Sequence, residues 1–203
     1  HEVGWLVGQD TFLIWMHTKP DVVDALIAHV AGFELEVARR FFDACGGMLD
    51  IAYFGNDFGT QRNMLISPQL WNRFIRKPQK RFFDLARDYK CKVMFHSCGA
   101  IRPIIPMLIE DGVDILDPIQ VNAEGMAFKE LAHDFGGKLT FHGAVDTQQT
   151  LPFGTPDDVR MQVRSYINET KKTGGYILMG SQKLIDDIPV DNILAMYDEP
   201  LRG

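Results

Sequence analysis

Apolar residues follow two rhythms along this chain. From Pro20 they recur at three- and four-residue spacing through DVVDALIAHVAGFELEVARRFFDAC until Gly46 and Gly47 stop the pattern, which predicts a long amphipathic helix. A short, largely apolar run over 48–54 then predicts a strand, closed by a polar loop containing Gly55, Asn56, Asp57 and Gly59. Ser67 is placed to N-cap a helix and Pro68 to begin it; the helix continues through LWNRFI, breaks at Pro78 and resumes as RFFDLARDYK. The alternation then repeats, with strand 92–96 before helix 101–111, 114–116 before 126–135, 138–142 before 156–172, and 176–179 before 190–197. Short apolar strands alternating with helices of roughly ten to fifteen residues imply a parallel sheet with right-handed crossovers, in about five β/α units.

No glycine-rich phosphate fingerprint follows the first strand, which argues against a dinucleotide-binding sheet. Each strand instead ends in a polar loop: GNDFGTQ, HSCG, DPIQVN, HGAVDTQQ and GSQK. Polar and metal-binding residues gathered at the carboxyl ends of parallel strands are the arrangement of a β/α-barrel active site. The expected fold class is therefore α/β, a (β/α)8 TIM barrel. A full barrel takes about 250 residues, so the 203 here are expected to form its C-terminal part as a single domain. The opening HEVGWLVGQD, without an initiator Met, fits that expectation of a fragment.

His96 and Cys98 carry the most distinctive chemistry. Two residues apart at a strand end, they point the same way, and an imidazole beside a sulfur is half of a zinc site. Zinc needs at least a third protein ligand, and Gln182, His142, Asp57 and Asp117 stand at other strand ends as candidates. Asp57 is also a candidate acid/base, and Gln61 and Arg62 beside it offer an amide and a guanidinium to a polar or carboxylated substrate. His142, near Asp146, is open to roles as base, ligand or structural donor. Asp117 and Gln120 are expected to face the barrel mouth, and Asp114 to cap the turn from Gly112. Cys91, His17, His29, His133 and Cys45 read as packing or surface residues. No Gly-x-Ser-x-Gly elbow, Walker loop or His-Glu-x-x-His motif is present.

Bulk properties narrow the field further. The composition, 46% hydrophobic and 24% charged, is that of a globular protein, and the net charge of −6 offers no general surface for nucleic acid or an anionic membrane. Three cysteines, an odd number in a chain this long, favour a reducing cytoplasmic setting without structural disulfides. No apolar run approaches the roughly 20 residues of a membrane span, and no signal-peptide pattern opens the chain.

The segments FHSCGAIRPIIPMLIEDGVDILDPIQ, FHGAVDTQ and GGYILMGSQKLIDDIPVDNILAMYDE, in that order, resemble the uroporphyrinogen decarboxylase superfamily, and the resemblance extends from about Pro20 onward. It implies a (β/α)8 barrel and one of two chemistries: cofactor-free decarboxylation of uroporphyrinogen III in porphyrin biosynthesis, or zinc-assisted methyl transfer involving a corrinoid. In the methyltransferase branch a His-x-Cys, completed by a later Cys in the last strand's loop, holds zinc. His96 and Cys98 match the first half, while the later segment reads MGSQKLIDD, with Ser181 or Gln182 where that Cys would stand. The decarboxylase branch has a late-loop histidine and N-terminal arginines that this chain lacks. The resemblance thus implies a methyltransferase acting on a small methylated substrate, with a corrinoid supplied by a partner protein and zinc on His96 and Cys98. Asp57 and His142 are its expected catalytic residues, and Gln61, Arg62, Gln120, Asp146 and Gln182 its expected substrate contacts. The decarboxylase and a non-catalytic barrel fragment are the alternatives, and decarboxylase relatives imply a homodimer.

Overall fold

The structure is a computed structural model and describes residues 2–202. Five strands, β1 (Ile51–Gly55), β2 (Lys92–His96), β3 (Ile115–Ile119), β4 (Thr140–Val145) and β5 (Tyr176–Gly180), pair in chain order, all parallel. Three helices precede them: α1 (Glu2–Val7), α2 (Gln9–Thr18) and α3 (Pro20–Cys45). Between β1 and β2 lie α4 (Pro68–Leu70), a π-helical turn at Trp71–Ile75 and α5 (Arg76–Asp88). A 3-10 turn at Arg102–Ile104 leads into α6 (Ile105–Asp111) before β3, and α7 (Phe128–Phe135) precedes β4. The chain then passes through α8 (Thr150–Phe153) and α9 (Pro156–Thr170) to β5, and α10 (Val190–Asp198) follows. This is an arc of five β/α units from a (β/α)8 barrel, as the strand–helix alternation predicts.

Alternation of side chains along the strands sets the layers. Ala52, Val93 and Phe95 are buried, and Phe95 meets Phe83 of α5 edge to face at 5.8 Å. Phe141 of β4 meets Phe128 of α7 in the same way at 5.6 Å. The opposite, inner face carries Tyr53, His96, Asp117 and His142. Behind the sheet, Arg76 clamps the buried Asp111 through two nitrogens at 2.8 and 2.9 Å, tying α5 to α6.

Several element edges differ from the pattern-based expectation. Pro78 does not break its helix. It lies in the first turn of α5, just after the π-helical turn, where the α-helical ladder is only beginning. β3 does not end at Leu116 but continues through Asp117 and Pro118. The β3–β4 register shifts between Leu116 and Ile119, and proline is tolerated where the ladder is irregular. β4 starts later than expected and runs on to Val145, so His142 lies inside a strand rather than at its end. Helices α1, α2 and α8 have no counterpart in that expectation. Cys45, Cys91 and Cys98 are all free thiols. Among the described residues, no helix is long and apolar enough to cross a membrane.

Candidate metal centre and active site

Strand register assembles the site. Gly55 pairs with His96, and His96 with Asp117, so β1, β2 and β3 reach the same level at their carboxyl ends. The Leu116–Phe141 pairing brings Asp117 next to His142 on β4. Tyr53 lies two residues before Gly55 and therefore on the same inner face. These separate strands converge on the Asp117 carboxylate, which is buried. His96 Nδ1 lies 2.7 Å from its Oδ2 and His142 Nδ1 2.5 Å from its Oδ1, and the Tyr53 hydroxyl donates to Oδ2 at 3.1 Å.

Electrostatics follow from that convergence. Burial acts to raise the Asp117 carboxyl, but hydrogen bonds from His142 and His96 outweigh it and hold the group well below the usual carboxylate range. The Asp117 bond, together with the bond to Cys98, raises His96 from its usual 6.5 to about 10 against the opposing effect of burial. Tyr53 is pushed upward by burial and by the neighbouring Asp117 charge, so it remains a neutral hydroxyl donor.

Beyond β1 and β2 the two loops lock together. Gly59 and Gly99 pack backbone to backbone: a Cβ on Gly59 would lie 2.5 Å from the Cys98 carbonyl oxygen, and one on Gly99 2.5 Å from the Gly59 carbonyl carbon. Gly99 also has φ +81°, a conformation that glycine adopts readily. The Phe58 amide donates to the buried Ser97 hydroxyl at 3.0 Å, and the Cys98 amide to Asp57 Oδ1 at 2.8 Å. Asp57 Oδ1 is thereby 3.3 Å from His96 Nε2, which is 3.5 Å from Cys98 Sγ. Asp57, His96 and Cys98 each offer one ligand atom, and these atoms all lie within 4.8 Å of one another. Carboxylate oxygen, imidazole nitrogen and sulfur form a donor set that suits zinc, with Asp117 fixing the histidine ring from behind.

The remaining expected site residues are distributed differently. Gln182 reaches the cluster from the loop after β5, its Nε2 donating to Cys98 Sγ at 2.7 Å. Gln120 is buried, and its Oε1 accepts from the Gly99 amide at 2.9 Å, bracing the Cys98 loop from β3. Asp146 is also buried. Its Oδ1 accepts from the Gln148 amide and from Asn122 Nδ2, both at 2.8 Å, which secures the loop leading into α8. Gln61 and Arg62 are exposed on the loop after β1, where the Gln61 carbonyl accepts from the Glu124 amide. Asp114 accepts from the Val93 amide at 2.9 Å and pairs with Lys92, so it links strands rather than capping the turn from Gly112. Sequence reasoning missed Tyr53 and the joining role of Asp117, whose histidine partners lie 21 and 25 residues away.

Comparison with known proteins bears on the family and the fold. Over 164 residues the chain is 23% identical to a methylated-thiol–coenzyme M methyltransferase of Methanosarcina mazei, an alignment covering 81% of this chain and 41% of the relative. A solved structure of a methyltransferase from the same organism superposes with a TM-score of 0.76 at 18% identity, covering 98% of this chain and 55% of that one. The chain thus spans about half the length of these relatives. The family model for uroporphyrinogen decarboxylase (URO-D) matches residues 4–200, nearly the whole chain, and the protein belongs to that family.

Proposed function

We propose that this chain is part of a methyltransferase that moves a methyl group between a small methylated substrate and a corrinoid carried by a partner protein, with zinc held by Asp57, His96 and Cys98. The observation that carries the reading is the convergence of those three ligand atoms within 4.8 Å at the carboxyl ends of parallel strands. His96 Nε2 lies 3.3 Å from Asp57 Oδ1 and 3.5 Å from Cys98 Sγ, so the three donors are close enough to share one cation. Zinc, when bound, supplies Lewis acidity toward the substrate's oxygen or sulfur.

The chain's own groups do the rest. Asp117 engages the Nδ1 of His96, which directs Nε2 toward the ligand cluster. It engages the Nδ1 of His142 in the same way, leaving that Nε2 to move a proton at the substrate's departing or attacking atom. Gln61 and Arg62, exposed on the loop after β1, offer polar contacts at the mouth, while Gln120 and Asp146 keep the surrounding loops in shape.

Metal analysis of the purified protein tests this reading, with about one zinc per chain expected, lost in Cys98→Ala and Asp57→Ala. Stoichiometric metal that survives both substitutions would overturn it. A methyl-transfer assay with a corrinoid protein is the functional counterpart, and metal-independent turnover of uroporphyrinogen to coproporphyrinogen would establish decarboxylation instead.

A further inference from the structure

One polar contact at the cluster comes from a distant part of the chain. Gln182 stands 84 residues from Cys98 in the chain, on a different strand's loop, yet its amide meets the sulfur. The backbone that aims it is well held. The Ser181 amide donates to the Val145 carbonyl at 2.6 Å, and the buried Ser181 hydroxyl accepts from the Thr147 amide at 3.2 Å. A Cβ on Gly180 would lie 2.9 Å from the side chains of both Leu184 and Thr147, so these two pack closely against the turn into Gln182. Cys98 is also the cluster's single sulfur among the described residues. Cys91 lies at the far end of β2, donating to the Leu49 carbonyl at 3.4 Å, and Cys45 ends α3.

We propose that Gln182 is a positioning residue for Cys98, its amide N–H holding the sulfur in place as a thiolate ligand and weakening it as a nucleophile. This rests on the reading of Asp57, His96 and Cys98 as a metal centre. A metal-bound thiolate keeps lone pairs that can attack a methyl donor, forming a sulfur–carbon bond as the donor's leaving group departs. An N–H bonded to one of those pairs draws electron density away and fixes the sulfur's direction. In a site that handles methyl groups, that contact protects the ligand from being methylated itself.

Cobalt(II) loading tests the proposal without relying on turnover. Gln182→Met and Gln182→Glu both remove the donor and keep much of the side chain's bulk, so either can decide if the other fails to fold. Both are expected to bind one cobalt per chain, with the sulfur-to-cobalt charge-transfer band moved to longer wavelength. Methyl iodide is expected to methylate the cobalt-bound Cys98 several-fold faster than in the unsubstituted protein, releasing iodide. Cobalt-loaded variants whose band and methylation rate match the parent would overturn the role of Gln182 while leaving the metal centre standing. A parent that binds no cobalt, or a band that persists in Cys98→Ser, would instead remove the metal centre and the proposal with it.

Discussion

Asp117 accepts hydrogen bonds from two histidines and a tyrosine, and both of its oxygens are engaged. Asn at this position keeps the shape but turns one acceptor into a donor, so the two imidazoles can no longer both donate through Nδ1 and one is driven to the other tautomer. Asp117→Asn is therefore expected to weaken zinc binding by about 10–100-fold, measured by competition with a chelator; unchanged affinity would show that the histidine needs no such orientation. His96 supplies a pH prediction. Its folded-state value of about 10 lies above the usual 6.5, so its stabilisation is fully present below about pH 6.5 and is lost as pH rises through about 10. The metal-free protein is thus expected to lose thermal stability across that window, and His96→Gln to flatten the decline. Metal binding runs the other way, strengthening as pH rises, because the Nε2 proton must leave before the nitrogen can ligate. Melting temperatures in chelator across the window decide the first point, since a wild-type profile as flat as that of His96→Gln contradicts it.

At the scale of elements, the back-to-back glycines turn two strand ends into one site. Gly59→Ala drives a Cβ into the Cys98 carbonyl, and because the three atoms it would meet, in Cys98, Gly99 and Ala100, are all backbone, the β1 and β2 loops must separate. The expected cost is about 1–3 kcal/mol of stability together with loss of metal binding; denaturant unfolding and metal analysis measure both, and a variant with native metal content would show the loops to be independent. Strand–helix alternation and the shared face of His96 and Cys98 were legible in the sequence because both are local patterns of period two or near four. Less legible was whatever depended on register between strands. Asp117 reads as a loop residue before Pro118 and becomes a buried strand residue only once β4 pairs beside it with a shifted register. Gln120 and Asp146 look like mouth residues for the same reason, although each is turned inward to bond a loop amide. Asp57 was legible as a candidate, but its approach to His96 depends on a contact between two loops 41 residues apart. Helix α1, of 6 residues, is too short for a convincing period, and in α2 the apolar residues 12–16 run consecutively instead of recurring at helical spacing.

At the largest scale, the five parallel strands among the described residues form an arc in which β1 and β5 each have a strand neighbour on one side only. In a closed barrel those edges pair and the inner face is filled by side chains. Here the inner-face residues Tyr53 and Ile177 remain exposed, at 57% and 38%. Unpaired backbone beside apolar side chains is a template for association. The 203-residue chain alone is therefore expected to bind an apolar dye and to sediment as species that grow with concentration. Placing charge on the inner face of an edge strand should oppose strand addition there, so Ile177→Lys is expected to reduce association with little change in helix content. Tyr53 is a poorer choice for that test because its hydroxyl also bonds Asp117, and its loss would disturb the site. Sedimentation velocity over a range of concentrations gives the answer: a monomer throughout, without dye binding, would mean that the open edges are shielded in solution.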